Sequence, residues 1–433
     1  MTQPSQENVS QYIAKAEAEA WQIPQLGPST KIRSVQKVGV IGAGTMGSGI
    51  SMNFATACIN VTIVEQKAEV LKRGLGIVRS NYQRSADKGR FPQAEVEARM
   101  GRLSGQLSLE ALSDCDLIIE AIFENMNLKR QIFSALDQIA KPGAILATNT
   151  SALDIDEIAS VTKRPEDVIG LHFFSPANVM KLLEIVRAEK TADEVVATSM
   201  DLAKRINKIA TLVGVCRGFV GNRILFARQG QGQKLLYKGV MPWDTDAAMN
   251  AFGFKMGNFQ MSDLAGLDVG WSKGTKTDNP IRDALCELDR RGQKTKAGFY
   301  DYDGARTPIP SEITAKIIKD ITGVEPIHMS RDQITETCIF PMINEAVKIL
   351  EANKAQRPSD IDVVWLNGYG WPADKGGPMY YADMIGAKDI LKKMEELGAE
   401  DPAYAPAETL RHMAENDGKF TEIDTGGLKT TRS

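Results

Sequence analysis

The chain has 433 residues, which is enough for two or three domains with a large core. Its 52 basic and 55 acidic residues nearly balance, so no broad basic field favours a nucleic-acid partner. The sequence contains no long apolar run, no charged-then-apolar leader and no CxxC pair among its five cysteines, which disfavours membrane insertion, secretion, a disulfide framework and a zinc site.

The first half of the chain divides into a short N-terminal segment and an α/β domain. Residues 8–21 predict a polar helix, and a linker with Pro and Gly follows, giving an N-terminal segment over 1–34. Strand-like runs then alternate with helical patterns, which is typical of a parallel, doubly wound sheet, so we expect a Rossmann-type domain over 35–217. The predicted strands cover residues 38–41, 60–65, 116–121, 144–148, 168–172 and 182–186.

Beyond Gly218 the pattern changes to long helices punctuated by Gly and Pro, which predicts mostly α-helical C-terminal domains. The stretch Met241–Asp246 is echoed by Arg357–Asp362, with Pro and Asp at the same spacing. This echo predicts a tandem repeat, with helical domains over 218–330 and 331–433. Shared helix-turn chemistry without common descent is the alternative.

Three glycines follow the first predicted strand at the spacing GxGxxG. Gly42 suits a tight turn, Gly44 allows a pyrophosphate to approach the backbone, and Gly47 allows close packing of helix on strand. Thr45 and Met46 open the helix whose N-terminal amides would face the phosphates. The motif predicts a dinucleotide site, although a plain turn has the same composition.

Glu65 ends the second predicted strand, about 20 residues past the glycines. A carboxylate there can accept hydrogen bonds from the adenosine ribose and repels a 2′-phosphate, so we expect NAD as the cofactor. Lys67 leaves an opening for NADP, and a surface glutamate is the alternative interpretation.

His172 is one of three histidines and closes a predicted strand at the carboxyl edge of the sheet, where ligands bind in open α/β sheets. Imidazole can remove a hydroxyl proton while hydride leaves carbon. Glu184 follows twelve residues later in an apolar run, where a carboxylate is costly to bury unless it is paired. We expect the two side chains to pair, although each alone is commonly structural.

Polar residues at two further positions are candidates to complete the site. Asn149 and Ser151 follow the predicted strand 144–148, and Ser151 could hydrogen-bond the substrate oxygen or simply cap a helix. Asn222, at the start of the first C-terminal helix, could donate to the same oxygen or face solvent.

The motifs together resemble one family. In chain order they are IGAGTMGSGI, EAIFENMNLK, ATNTSAL, HFFSPANVMKLLEIV, GFVGNR, FGFKMGNFQMSDLAGLDVGW and GYGWPADKGGPMYYAD. Over roughly residues 35–405 the chain is similar to 3-hydroxyacyl-CoA dehydrogenases of fatty-acid β-oxidation, and most similar to the dehydrogenase half of the multifunctional enzymes. The resemblance implies NAD-dependent oxidation of an L-3-hydroxyacyl-CoA to the 3-ketoacyl-CoA. It also implies four catalytic residues: Ser151, His172, Glu184 and Asn222.

The resemblance also assigns roles that local chemistry alone does not. It implies cofactor contacts near the nicotinamide ribose for Glu124 and Lys129, and Asn149 is counted with the cofactor residues. It suggests cations for the coenzyme A phosphates on the helix after Glu65, with a solvated basic face as the alternative. These cations are Arg79, Arg84 and Lys88.

The resemblance also bears on the substrate and partners, and the C-terminal tail bears on the location. The resemblance implies an acyl-CoA substrate. The hydratase half of the multifunctional enzymes is missing, so we do not predict hydratase activity. As an alternative, the chain is part of a larger β-oxidation assembly with enoyl-CoA hydratase and thiolase partners. The internal repeat permits a monomer, because a second copy could replace the helical domain of a dimer partner. Since Thr430–Ser433 contains no Ser-Lys-Leu address, we expect a cytoplasmic protein. A dehydrogenase of a free 3-hydroxy acid and a non-catalytic NAD-binding component remain as alternatives.

Overall fold

The computed structural model describes residues 6–428, so the tail Thr430–Ser433 lies outside the described residues. The strands are β1 Lys37–Ile41, β2 Asn60–Val64, β3 Leu103–Gln106, β4 Leu117–Glu120, β5 Ile145–Thr148, β6 Val168–Phe173, β7 Leu182–Arg187, β8 Ile209–Gly214, β9 Tyr300–Tyr302 and β10 Pro308–Pro310. The α-helices are α1 Gln6–Ala20, α2 Thr45–Thr56, α3 Ala68–Asp87, α4 Ala94–Met100, α5 Met126–Ile139, α6 Ile155–Ala159, α7 Asp193–Arg205, α8 Gly221–Tyr237, α9 Pro242–Phe252, α10 Asn258–Ala265, α11 Pro280–Glu287, α12 Glu312–Thr322, α13 Arg331–Glu351, α14 Pro358–Gly368, α15 Pro378–Ile385, α16 Ala387–Glu400 and α17 Glu408–Asn416. In the described part of the chain, none of these helices is long and apolar enough to cross a bilayer.

The chain divides into two compact units. The first, which we call the sheet unit, contains residues 6–222, 349–369 and 421–428. The second, the helical unit, contains Arg223–Lys348 and Gly370–Phe420. The domain boundaries expected from the sequence stay a prediction.

The sheet unit is built on eight strands in the order β3-β2-β1-β4-β5-β6-β7-β8. The residues of β4, β5 and β6 are all buried, because helices cover both faces of a parallel sheet. The Rossmann-type fold expected from the alternation is therefore confirmed. Two strands were not among those predicted: β3 is a half-exposed edge strand without an apolar run, and β8 follows the last predicted strand after helix α7.

Strand β7 departs from the expected parallel arrangement. The first six strands in the order pair in parallel, but β7 runs antiparallel to β6. The eight residues 174–181 connect these strands, whereas a parallel crossover needs a dozen or more. This short connection places His172 directly opposite Glu184 in the register.

Helix α1 belongs to the sheet unit and packs on α14, where Ala16, Ala20 and Val363 form a small apolar cluster. Tyr12 on α1 donates a hydrogen bond to Asp362 over 2.5 Å. The helix that the sequence predicts near the N-terminus is thus present and is held by both apolar and polar contacts.

The helical unit has its own core, in which Phe259, Phe299 and Leu285 are almost fully buried. Buried carboxylates organise its loops. Asp246 accepts hydrogen bonds from the amides of Phe259 and Gln260 at 3.0 and 2.8 Å, and so caps helix α10. Burial raises the pKa of Asp246 to about 6 despite these bonds.

The helices that correspond in the predicted repeat match in length. Helices α9 and α14 each have 11 residues with Pro at the start, and α10 and α15 each have 8 residues. The tandem repeat itself stays a prediction.

Candidate active site

The glycine turn between β1 and α2 has the geometry that a dinucleotide needs. Gly42 has φ 102°, and an added Cβ would lie 2.7 Å from the Ala121 carbonyl oxygen. A Cβ on Gly47 would lie 1.9 Å from the Gly42 oxygen. Only glycine at this position therefore allows α2 to pack this closely on the turn that follows β1. A Cβ on Gly44 would meet no heavy atom of residues 6–428 within 4 Å, which leaves open space at the helix start.

That open space is suited to an anion. Gly44 is the N-cap of α2, and among the described residues no side chain caps this helix. Thr45, exposed, and Met46, half-buried, form its first turn, so their amides can serve phosphate oxygens. Glu65 lies at the end of β2 beside this turn, with Oε2 accepting from the Ala43 amide at 3.3 Å. The residues present therefore fit the pyrophosphate and ribose of NAD.

His172 and Glu184 form a buried pair at the carboxyl end of β6. His172 Nδ1 lies 2.7 Å from Glu184 Oε2. Glu184 is 0% exposed, and its second oxygen accepts from the Gly221 amide at 2.9 Å. Phe174 packs on the imidazole with the ring centroids 4.4 Å apart. Because Nδ1 faces the carboxylate, Nε2 is the ring nitrogen that can act as a base.

Ser151 and Asn222 lie next to each other, as the expected common role requires. Asn222 Nδ2 donates to the Ser151 carbonyl oxygen at 3.2 Å. Ser151 does not cap the following helix, since Asp154 caps α6 through the amides of residues 156 and 157. Asn149 Oδ1 accepts from the Phe173 amide at 2.9 Å and so ties the end of β5 to the strand that carries His172.

Glu124 organises the loop that contains Ser151. Its Oε1 accepts from Thr150 Oγ1 at 2.6 Å, from the Ser151 amide at 2.8 Å and from Ser151 Oγ at 3.1 Å. Burial opposes the charged form, but these hydrogen bonds and the charge of Lys129 outweigh it, so the pKa of Glu124 is lowered. Glu124 is therefore a fixed anion beside Ser151.

Lys129 has a partner that the sequence interpretation missed. Its Nζ lies 2.7 and 2.9 Å from the two carboxylate oxygens of Glu120, at the end of β4. Glu120 also accepts from Thr148 Oγ1 at 2.7 Å and from the Ile122 amide at 2.8 Å. The sequence does contain a signal for this pair, because Glu120, like Glu184, is an acid in an apolar strand and such an acid needs a partner when it is buried.

The three cations expected to bind the coenzyme A phosphates lie in different surroundings. Arg79 pairs with Glu97 of α4 on the exposed face of α3. Arg84 and Lys88 instead line a cavity of about 560 Å³ together with Lys181 and other side chains of the sheet unit. The structure thus brings two of the three cations to a common cavity.

The family models match most of the chain. The model described as "3-hydroxyacyl-CoA dehydrogenase, NAD binding domain" matches residues 37–216, and the one described as "3-hydroxyacyl-CoA dehydrogenase, C-terminal domain" matches residues 218–302 and 334–426. The chain belongs to the 3-hydroxyacyl-CoA dehydrogenase family. The predicted family, the NAD cofactor and the NAD-dependent oxidoreductase class are thereby confirmed.

Individual relatives agree with this family. A peroxisomal bifunctional enzyme from Cavia porcellus is 43% identical over 93% of this chain, which spans 59% of that relative's length. The crystal structure of the dehydrogenase part of multifunctional enzyme 1 from C. elegans is 31% identical, with a TM-score of 0.66, and the match covers 95% of this chain and 97% of that one. A 3-hydroxybutyryl-CoA dehydrogenase from Escherichia coli K12 has a TM-score of 0.76 at 25% identity, covering 89% and 99% of the two chains. Plant relatives from Brassica napus and Arabidopsis thaliana are named as fatty acid beta-oxidation multifunctional proteins, which supports the predicted place of the chain among enzymes of fatty-acid β-oxidation.

The predicted cytoplasmic location is wrong. The curated relatives of this chain include enzymes named as peroxisomal, in animals and in a plant. The prediction rested on the absence of a Ser-Lys-Leu tripeptide from Thr430–Ser433, and the absence of one short address does not decide the compartment.

Proposed function

We propose that the chain oxidises the 3-hydroxyl group of an L-3-hydroxyacyl-CoA to a ketone with NAD. The buried pair of His172 and Glu184, 2.7 Å apart at the carboxyl end of the sheet, carries this proposal. NAD, when bound over Gly42 to Gly47, supplies the hydride acceptor. The side chains of this protein have to remove the hydroxyl proton and hold the oxygen while it becomes a carbonyl.

His172 takes the hydroxyl proton at Nε2. The imidazolium that forms is stabilised by Glu184, which fixes the ring through Nδ1 and is itself held by the Gly221 amide. Ser151 and Asn222 hold the reacting oxygen. The loop that contains Ser151 is ordered by its hydrogen bonds to Glu124. Lys129, fixed by Glu120, provides the cofactor contact assigned by the family resemblance.

The coenzyme A phosphates are proposed to lie near Arg84 and Lys88, because these cations share a cavity of about 560 Å³. Arg79 is not retained in this role, since Glu97 already pairs with it. Charge-assisted hydrogen bonds from Arg and Lys are the ordinary means of binding phosphate.

Substrate and cofactor are tested together by NADH absorbance. The protein is mixed with L-3-hydroxybutyryl-CoA or free L-3-hydroxybutyrate, each with NAD or NADP. We expect NADH formation with NAD and the CoA ester. With NADP we expect little NADPH formation, because the Glu65 carboxylate repels the 2′-phosphate. Equal rates with the free acid would favour a dehydrogenase of free 3-hydroxy acids. No reaction with any ester, despite NAD binding, would favour a non-catalytic component.

The assembly and location are proposed from the relatives and the repeat. The relatives are named as bifunctional enzymes, so we propose that an enoyl-CoA hydratase supplies the substrate and a thiolase consumes the product. The two segments that match the C-terminal family domain support a monomer with an internal repeat over 218–330 and 331–433. Sedimentation tests the monomer, and fluorescence microscopy of the tagged protein in its own cells tests the peroxisomal location that those names suggest.

A further inference from the structure

Tyr369 lies at the C-terminal end of α14, within the sheet unit and 147 residues from Asn222 in the chain. Its ring stacks on Trp365 with the centroids 4.6 Å apart and meets Phe174 edge-on at 5.3 Å. A Cβ on Gly221 would lie 2.3 Å from the same ring, so glycine is required there. Three neighbours therefore hold the ring in one position.

The hydroxyl of Tyr369 donates to Asn222 Oδ1 over 2.8 Å. Burial, with a smaller contribution from the charge of Glu184, raises the pKa of Tyr369 well above its usual value, so the hydroxyl keeps its proton and remains a donor. This hydrogen bond fixes the orientation of the Asn222 side-chain amide, because only the amide oxygen can accept from the tyrosine hydroxyl, whereas the nitrogen donates. Nδ2 is accordingly directed to the Ser151 side, where it donates to the carbonyl oxygen at 3.2 Å.

We propose that Tyr369 is a positioning residue for the dehydrogenase reaction, whose hydroxyl holds the Asn222 amide with Nδ2 toward the reacting oxygen. This inference rests on the proposed function, in which Asn222 donates to that oxygen. Without the hydroxyl, the amide can rotate and present Oδ1 to an oxygen that gains negative charge, which replaces attraction by repulsion. A residue 147 positions away in the chain thereby takes part in the site, and its ring also contacts Phe174, which packs on His172.

The test is a double-mutant cycle with Tyr369→Phe and Asn222→Ala. Tyr369→Phe keeps the ring contacts and should lower kcat roughly tenfold with the KM for NAD unchanged, as expected for one lost positioning hydrogen bond. In the Asn222→Ala background the same substitution should have no further effect on kcat. Tyr302→Phe is the matched control, because it removes a buried tyrosine hydroxyl that donates to Asp263 at 2.8 Å in the helical unit. It should leave kcat unchanged.

The contrary outcomes are distinct. Wild-type kcat in Tyr369→Phe, or an equal loss with and without Asn222, would overturn the inference while leaving the proposed function intact. Wild-type turnover in Asn222→Ala would overturn both the role of Asn222 and the inference. Should Tyr369→Phe fail to fold, Asn222→Asp keeps the acceptor for Tyr369 and deletes the donor, and full activity in that variant would also overturn the inference.

Discussion

The carboxyl edge of the sheet and the outer face of α3 both carry charged residues that the sequence assigned to ligands, yet the two regions differ in burial. At the sheet edge, Glu184 and Lys129 are at most 1% exposed. Glu184 lies 2.7 Å from His172 Nδ1, and Lys129 lies 2.7 Å from the carboxylate of Glu120. The side chains of Arg79 on α3 and of its partner Glu97 on α4 are 51% and 67% exposed. A charge is costly to bury, so burial with a complete set of partners marks positions that the fold holds in place.

The largest expected effect is the loss of the base. His172→Ala should lower kcat about 10³-fold or more, because proton removal by a positioned base contributes on the order of 10² to 10⁴. NAD binding, measured by fluorescence titration, should be unchanged because the glycine turn is intact. Activity near the wild-type level would contradict the role of His172 at the sheet edge.

Glu184→Gln tests whether the negative charge of Glu184 contributes to catalysis, because glutamine has the same shape without the charge. The amide can still accept from the Gly221 amide, but it cannot stabilise an imidazolium as a carboxylate does. We expect kcat to fall on the order of 10²-fold, with the melting temperature as the control for folding. If kcat stays within about twofold, the pair is structural rather than catalytic.

Lys129→Met compares the two regions by stability. The substitution leaves Glu120 buried without its cation, and loss of one member of a buried pair costs about 3 to 5 kcal/mol in the free energy of unfolding. The matched variant Arg79→Met breaks the exposed pair with Glu97 and should leave urea unfolding unchanged. Equal losses of unfolding free energy in the two variants would show that the buried pair contributes no more to stability than the exposed pair.

Asp360 is an informative exception, a buried carboxylate away from the sheet edge. Among the described residues its oxygens have no hydrogen-bond partner, and the nearest cation is Arg357 at 3.4 Å. Burial raises the pKa of Asp360 to about 7 from an ordinary value of 3.8, although Arg357 opposes the shift. Between these pH values the folded state holds a proton that the unfolded state has lost, so this residue makes stability fall as pH rises from about 4 to about 7.

Asp360→Asn should therefore be more stable than the wild type at about pH 8, on the order of 4 kcal/mol, and similar to it below about pH 4. Urea unfolding at both pH values measures the difference. A variant that is less stable than the wild type at the higher pH would show that the ion pair with Arg357 outweighs the cost of burial.

The smallest expected effects are at the cavity that Arg84 and Lys88 line. Alanine at either position should raise the KM for the CoA ester a few-fold, more at low salt than at high salt, because the contacts are exposed. Arg79→Ala should not change it. A larger effect of Arg79 than of Arg84 would place the phosphates on the other side of α3.

Much of the site follows from local pattern. Gly42, Gly44 and Gly47 precede a helix as expected, and a histidine and a glutamate in successive apolar strands become a pair once those strands are adjacent. The direction of β7 was not predicted, although the length of its connection to β6 would have excluded a parallel crossover. Local chemistry is thus sufficient where the partners lie on neighbouring strands.

Long-range contacts were not accessible from the sequence. Tyr369 reaches Asn222 across 147 positions, and no periodicity or motif relates the two. Whether Arg79 or Arg84 faces the cavity depends on the position of α4, whose Glu97 takes up Arg79.

The most direct test of the central claim is a crystal structure of the protein with NAD and acetoacetyl-CoA bound together. We expect the 3-oxygen of the ligand to lie about 3 Å from His172 Nε2 and within hydrogen-bond reach of Asn222 Nδ2. A ligand seated with its 3-oxygen away from His172, and with another ionisable group in its place, would contradict the assignment of the buried pair as the catalytic centre.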